Sequence, residues 1–274
     1  MAKFNKLRVS LARDEPGDLL KAAEHTEGHR SRRDFLIAAL GEPRTFIDNR
    51  NRVFGFDPIP MPDGYAGGFF KREKPIVAKH EDLKPYHAEN YEAALFILSI
   101  EKDQIGWTEN NGRLGAPRHI VESFFSHLTA KTDINDWRAV AHYMDSHGEY
   151  FAVVRERRAE IATLKFTFVP PNALGADDLV ANFVKLVDGQ AHPETQQHTY
   201  RAPPGKMDPE APVMDASAKI AMAGGGEAEV KDGAGKVLYS SSRARTVEVV
   251  DDNELPTLEK PTFVRRVILR LFGQ

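Results

Sequence analysis

Apolar and polar residues change their spacing several times along the chain, and each spacing predicts an element. Phe4, Leu7, Val9 and Leu11 alternate loosely with Lys, Arg and Ser, close to the two-residue period of a half-buried strand. Asp18, just after Pro16-Gly17, is placed to cap a helix carrying Leu19, Leu20 and Ala23. The pattern pauses over the polar stretch 25–33 and resumes through Phe35, Leu36, Ala39 and Leu40, so two helices are expected before Gly41 and Pro43 stop the second. Phe46, Ile47, Val53, Phe54 and Phe56 flank a polar centre and predict a hairpin with its turn at Asn49-Arg50-Asn51. From Pro58 to Gly68 the prolines and glycines predict a connecting loop.

The stretch from Tyr91 to Leu128 organises the first half. Its nearly continuous apolar run from Ala93 to Ile100 predicts a strand covered on both faces and placed inside its sheet. After Glu101-Lys102-Asp103, Gln104 to Thr108 returns as a second strand. Pro117 then opens a helix with Ile120, Val121, Phe124, Phe125 and Leu128 on one face. Trp137, Val140 and Tyr143, then Phe151, Val153 and Val154, predict irregular or strand segments ahead of the basic run Arg155 to Arg158. The second half opens with a strand from Ile161 to Val169, and Asp177-Asp178 precede a helix through Leu179, Val180, Phe183, Val184 and Val187. An edge strand at Gln197 to Arg201 follows, then a helix from Pro212 to Met222 that Gly224-Gly225-Gly226 stops. A hairpin with an adjoining strand is expected between Glu227 and Val250, and a closing helix carries Phe263, Val264, Val267, Ile268, Leu271 and Phe272 on one face. The order predicts an α+β protein of mixed or antiparallel sheets with packed helices. It divides into two α/β subdomains, residues 1–158 around the central strand pair and helix and residues 159–274 ending in the amphipathic helix.

Composition narrows the function classes. With 41% hydrophobic and 28% charged residues over 274 positions, a sizeable core is expected, and a net charge of −3 gives no global field for gathering nucleic acid. Any such contact must use local basic patches. The absence of cysteine removes disulfides, thiolate nucleophiles and Cys-ligated metals, and no run approaches the roughly 20 apolar residues of a membrane span. A cytoplasmic protein without a membrane span is expected.

Complete catalytic constellations do not emerge. Gly224-Gly225-Gly226 precedes a strand, whereas a phosphate-cradling loop precedes a helix. His25 and His29 have the four-residue spacing of two ligands on one helix face but lack the accompanying HExxH glutamate. Arg113 and His119 have a ribonuclease-like spacing interrupted by Pro117. Glu229-Val230-Lys231, with Asp208 or Asp215 upstream, forms a faint nuclease pattern in which carboxylates would hold a divalent metal and the lysine would stabilise charge. No cofactor and no metal site are expected, and an enzyme, if present, would be a nuclease. The basic clusters are the better candidates. Arg30, Arg32 and Arg33 fall at a helix break, Arg155, Arg157 and Arg158 after a strand, and Lys236, Arg243 and Arg245 along a hairpin, positions from which long side chains reach phosphates without reading bases. The competing reading is a solvated, ion-paired surface. The last helix must dock on its own core or on another chain, which makes Phe263, Val267, Ile268 and Leu271 candidate partner-binding residues.

Leu95-Phe96-Ile97-Leu98, Gln104-Ile105-Gly106-Trp107, the Asn-Gly-Arg-Leu-Gly loop, the helix from Ile120 to Leu128 and the later Leu164 to Asn172 resemble, as an arrangement over residues 85–250, an uncharacterised bacterial family of the DUF4747 type. More distantly the layout is similar to RexA-like phage-exclusion and KwaB-like defence proteins. The resemblance implies a dimeric α+β protein of phage defence that touches double-stranded nucleic acid without strong sequence preference. It carries over no individual residues. The expectation is therefore a non-enzymatic nucleic-acid-binding protein acting as a homodimer or with a defence-system partner. The alternatives are a metal-dependent nuclease or toxin component, and a protein-binding antitoxin, inhibitor or assembly subunit.

Overall fold

A computed structural model describes the chain apart from residues 14–30, 80, 83, 102–103, 132–136, 146, 170–178, 192, 194 and 274. The expected helix over Asp18 to Ala23, and Asp177-Asp178, lie outside the described residues. The fold is α+β with antiparallel sheets. Among the described residues no helix is long and apolar enough to cross a membrane. The chain divides into two compact units that interleave in sequence rather than meeting near residue 158. The first comprises Met1–Asn5, Asp14–Arg138 and Glu248–Gln274, and the second Lys6–Arg13 and Ala139–Val247. The closing helix thus belongs with the N-terminal half.

The first unit is built on a curled sheet. Its strands are β1 (Ala2–Arg13, of which the first residues belong here), β2 (Arg44–Ile47), β3 (Val53–Pro58), β4 (Tyr65–Glu73), and, beyond the short ribbon β5 (Ile76–Lys79) and β6 (Pro85–Ala88), β7 (Tyr91–Ser99) and β8 (Ile105–Glu109). With β14 (Val247–Val250) the order is β14-β1-β8-β7-β4-β3-β2. β7 lies inside the sheet as its apolar run requires, with Leu95 to Leu98 buried. One face holds an aromatic core. Phe46, Phe54, Phe56, Phe70 and Phe96 from the strands meet Phe124 and Phe125 of α2 (Pro117–Lys131) and Phe35 of α1 (Arg32–Leu40), and ring centroids around Phe124 are 5.0 to 5.5 Å away. Ser31 caps α1 by accepting from the Asp34 N–H at 3.2 Å. The other face carries a second cluster, in which Val264, Val267, Ile268 and Leu271 of α6 (Val264–Phe272) pack on Phe4, Leu95, Ile97 and Trp107.

Two expectations needed correction. Gly67 and Gly68 do not belong to a loop but lie inside β4, because the sheet backbone passes so close that no side chain fits. A Cβ on Gly67 would sit 2.1 Å from the Phe96 carbonyl oxygen, and one on Gly68 would sit 2.1 Å from that of Asp57. The segment holding Phe151, Val153 and Val154 is helical, α3 (His147–Glu156). Its Tyr150 and Val154, one turn apart, are both fully buried, with acidic Glu149 in the first turn and Arg155 in the last. The preceding segment is strand β9 (Trp137–Tyr143), which pairs with β1.

In the second unit β10 (Ile161–Phe168) lies between β11 (Gln196–Arg201) and β12 (Gly226–Asp232), and β13 (Val237–Ser240) pairs with β12. A register shift between Ile161 and Thr163 lets both Ile161 and Leu164 face inward with Phe166 and Phe168. These meet Val180 and Val184 of α4 (Leu179–Ala191) and Met214 and Ala218 of α5 (Pro212–Ile220). The glycine run ends α5 as expected, through a π-helical turn whose Gly224 has φ +81°. Within this core the Tyr239 hydroxyl donates to the Asp145 carboxylate. Burial first, and then this bond, push the Tyr239 hydroxyl above its ordinary pKa. Phe124→Ala should cost about 3–5 kcal/mol by cavity formation, read from denaturant midpoints. Gly68→Val should abolish the cooperative transition, because a side chain there displaces β3 from β4.

Candidate functional site

Helix α6 covers only part of its face of the first unit's sheet, and the remainder forms an open groove. In register across β2, β3, β4 and β7 run Thr45, Gly55, Lys71 and Ala93, so one long side chain stands between two small residues. Gly55 leaves room for that arrangement. A Cβ there would meet Lys71 Cε at 2.9 Å, and without it the lysine stem lies flat across the strand. The Lys71 ammonium pairs with the Asp57 carboxylate and stands 5.9 Å from the ring centroid of Tyr91, itself 52% exposed. On one side of Lys71 is a cleft of about 360 Å³ walled by Asp57, Phe69, Tyr91, Ala93, Pro256 and Leu258. On the other is one of about 440 Å³ whose lining includes Arg52, Val53, Arg72, Glu73 and again Lys71 and Tyr91.

Two arrangements hold the guanidinium groups of Arg52 and Arg72, which border the second cleft, against the Phe54 ring. Asp48 sits buried in the β2–β3 turn and accepts from the backbone N–H groups of Arg50 and Arg52, each at 2.9 Å, and from Arg52 Nε at 2.7 Å. Burial alone would raise its pKa, but the bonds from Arg52 and Arg50 prevail and hold it at about 2. This anchors Arg52, whose guanidinium stands 5.4 Å from the Phe54 ring. Arg72 approaches the same ring at 5.7 Å and donates to the Arg113 carbonyl at 2.8 Å. Arg52 also meets Asp48 through Nη2 at 2.6 Å, so of the two it is Arg72, with its neutral carbonyl partner, that keeps more of its five N–H donors for an anion. Beside them the side chain of Asn111, followed by Arg113, lowers the pKa of Glu92.

The sequence-derived basic clusters are placed differently. Arg30 lies outside the described residues, and Arg32 and Arg33 are exposed on the first turn of α1, Arg32 standing 5.3 Å from the Trp137 ring. Arg155, Arg157 and Arg158 face acids. Arg155 meets Glu210 at 3.1 Å, Arg157 meets Glu160 at 3.6 Å, and Arg158 meets Asp208 at 2.9 Å. Lys236 is exposed in the β12–β13 turn, Arg243 is exposed, and Arg245 stands 5.2 Å from the Tyr143 ring. Val267, Ile268 and Leu271 are spent on the chain's own core and Phe263 is half-buried, so α6 offers a partner only its outer side, with Arg265, Arg266, Leu269 and Arg270.

The nuclease pattern is dispersed. Glu229 and Lys231 pair with each other at 2.8 Å, Asp215 with Lys219 at 2.7 Å, and Asp208 with Arg158. Among the described residues no group of three or more potential metal ligands occurs, and His25 and His29 are not described. Arg113 pairs with Glu92 and lies before α2 begins, while His119 Nε2 is 3.6 Å from Asp48.

Sequence reasoning missed Arg52, Asp57, Lys71, Arg72 and Tyr91 because their strands come together only through register. The available signal was Lys71-Arg72, charged residues directly following the apolar Phe69-Phe70. The chain matches no family model, no curated protein and no solved structure. Because the Asp48 pKa is depressed in the folded state, its stabilising effect is present above the ordinary aspartate value and is lost as pH falls toward about 2. Asp48→Asn should therefore lower the melting temperature at pH 5 to 7 and reduce the fall in melting temperature between pH 4 and pH 2, both read by thermal denaturation.

Proposed function

We propose that this protein is a non-enzymatic nucleic-acid-binding protein whose contact surface is the first unit's cleft lined by Arg52, Lys71, Arg72 and Tyr91. The observation that carries the reading is the gathering of Arg52, Lys71, Arg72 and the exposed Tyr91 around one cleft, with the two arginines held against Phe54 and the lysine beside Tyr91. Cations held by the fold beside an aromatic ring match the two chemical features of a polynucleotide, its phosphates and its base faces. The arginines of the 155–158 run each face a carboxylate, as Arg52 does with Asp48 and Lys71 with Asp57, whereas Arg72 donates to a neutral carbonyl. The resemblance to phage-exclusion proteins suggests phage defence as the setting. Binding then needs no metal and no bond cleavage, consistent with carboxylates that are individually paired with lysines and arginines rather than gathered.

Fluorescence anisotropy of labelled oligonucleotides against salt tests the reading. Three cations predict a log–log slope of about −2 for a single strand, and Arg72→Gln should flatten it by about 0.7. An absence of binding to any oligonucleotide at low salt would remove the proposal.

A further inference from the structure

A further groove of the first unit, about 490 Å³ in volume, lies between the segment Pro60-Met61-Pro62 and the residues that lead into α6, namely Pro261, Thr262, Val264 and Arg265. Its walls are mostly apolar. Pro60, Pro62 and Pro261 have no backbone N–H to offer, and Met61 and Val264 add hydrocarbon surface. Met61 lies over the sheet because β4 has a glycine beneath it, where a Cβ on Gly67 would come within 3.0 Å of Met61 Cε. The Tyr65 N–H donates to the Pro62 carbonyl at 3.1 Å, which ties this wall to the start of β4. The polar side chains in the lining are Thr262 and Arg265.

The charge beside the groove is uncompensated. Arg265 and Arg266 are both exposed, and among the described residues neither has a carboxylate partner. Arg266 instead stands 5.2 Å from the Phe263 ring. Arg270, one turn beyond Arg266, meets Glu254 at 4.0 Å, and the first turn of α6 carries no acidic residue. The chain has a net charge of −3, and Arg44, Lys84, Arg113 and Arg118 of the same unit each meet a carboxylate. Two adjacent arginines therefore remain for an anion from outside. Leu269, one turn after Arg265 on the same side of α6, is 55% exposed and continues the apolar surface past the guanidinium.

We infer that this groove binds an acidic peptide segment of a partner protein, with an apolar side chain resting on Met61 and the prolines and a neighbouring carboxylate paired with Arg265. The planar guanidinium fork matches a carboxylate through two parallel hydrogen bonds, and the apolar walls shield that pair from water on one side. A nucleic acid suits the groove less, because no aromatic ring lines it for a base to stack on. A membrane surface also suits it less. Helix α6 buries Val264, Val267, Ile268 and Leu271 in the chain's own core, which leaves Leu269 as its exposed large apolar side chain. The inference uses none of the residues of the cleft at Arg52 and Arg72, so it stands apart from the nucleic-acid reading.

The test uses the full chain and a labelled peptide with a leucine flanked by glutamates, read by fluorescence anisotropy at low salt. Control peptides carry glutamine in place of glutamate, or serine in place of leucine. The parent peptide should bind, and each control about tenfold more weakly; Arg265→Gln should weaken the parent about tenfold and leave the glutamine peptide unchanged, whereas Arg72→Gln should alter neither. Equal binding of the parent and glutamine peptides, a parent peptide indifferent to Arg265→Gln, or no binding of the parent overturns the inference. A single-stranded oligonucleotide that displaces the peptide and loses affinity with Arg265→Gln gives the groove to nucleic acid and overturns it as well. The control peptides require no change to the protein, so misfolding of a variant cannot produce their difference.

Discussion

How far one helix reaches across a sheet sets most of what the first unit can do. Helix α6 has nine residues, so it is about 13 Å long and roughly 10 Å wide, enough to cover two or three strands spaced about 4.8 Å apart. The sheet path it faces runs β14-β1-β8-β7-β4-β3-β2. The helix settles where its apolar stripe finds Phe4, Leu95, Ile97 and Trp107, and the strands beyond stay open. On the opposite face α1 and α2 together close an aromatic core, so the unit holds its fold without needing the open half of this face for stability.

The open half differs from an ordinary solvated sheet surface in its sequence of sizes. Gly55 and Ala93 flank Lys71 in register, which turns a flat face into two depressions separated by a lysine. Asp48 and Glu92 matter indirectly. The buried carboxylate of Asp48 anchors Arg52, and Glu92 holds Asn111 and Arg113 beside the carbonyl to which Arg72 donates. The guanidinium groups beside Phe54 are thus held by the fold's own hydrogen bonds, which lowers the ordering cost of meeting an anion.

Charge counted along the chain and charge available in space diverge here for a physical reason. The run Arg155 to Arg158 is as dense a basic stretch as any singled out in the sequence, yet Asp208, Glu210 and Glu160 meet it in the fold. Residues some fifty positions away decide whether an arginine is available. Exposed pairs of this kind contribute little to stability, with a median of about 0–1 kcal/mol, but they compete with phosphate for the same donors.

The sequence by itself determined the elements whose periodicity is local. These include the strand inside the sheet at Leu95 to Leu98, the Phe46 to Phe56 hairpin, helix α2, the amphipathic stripe of α6 and the glycine stop after α5. It also determined the α+β class, because those elements alternate strand pairs with helices that must bury a face. It misplaced Gly67 and Gly68, since a glycine in a turn and one under a neighbouring backbone read alike until the neighbour is known. It also read the segment of α3 as irregular or strand, because the unbroken apolar run from Tyr150 to Val154 carries too little period to separate helix from strand. Only the tertiary structure decided the interleaved division into units, the spending of Val267, Ile268 and Leu271 on the chain's own core, and the meeting of Lys71 with Asp57, Tyr91 and Gly55. Those depend on register and on which chain segments return to the same sheet. Such pairings are set by long-range packing, which local periodicity does not encode.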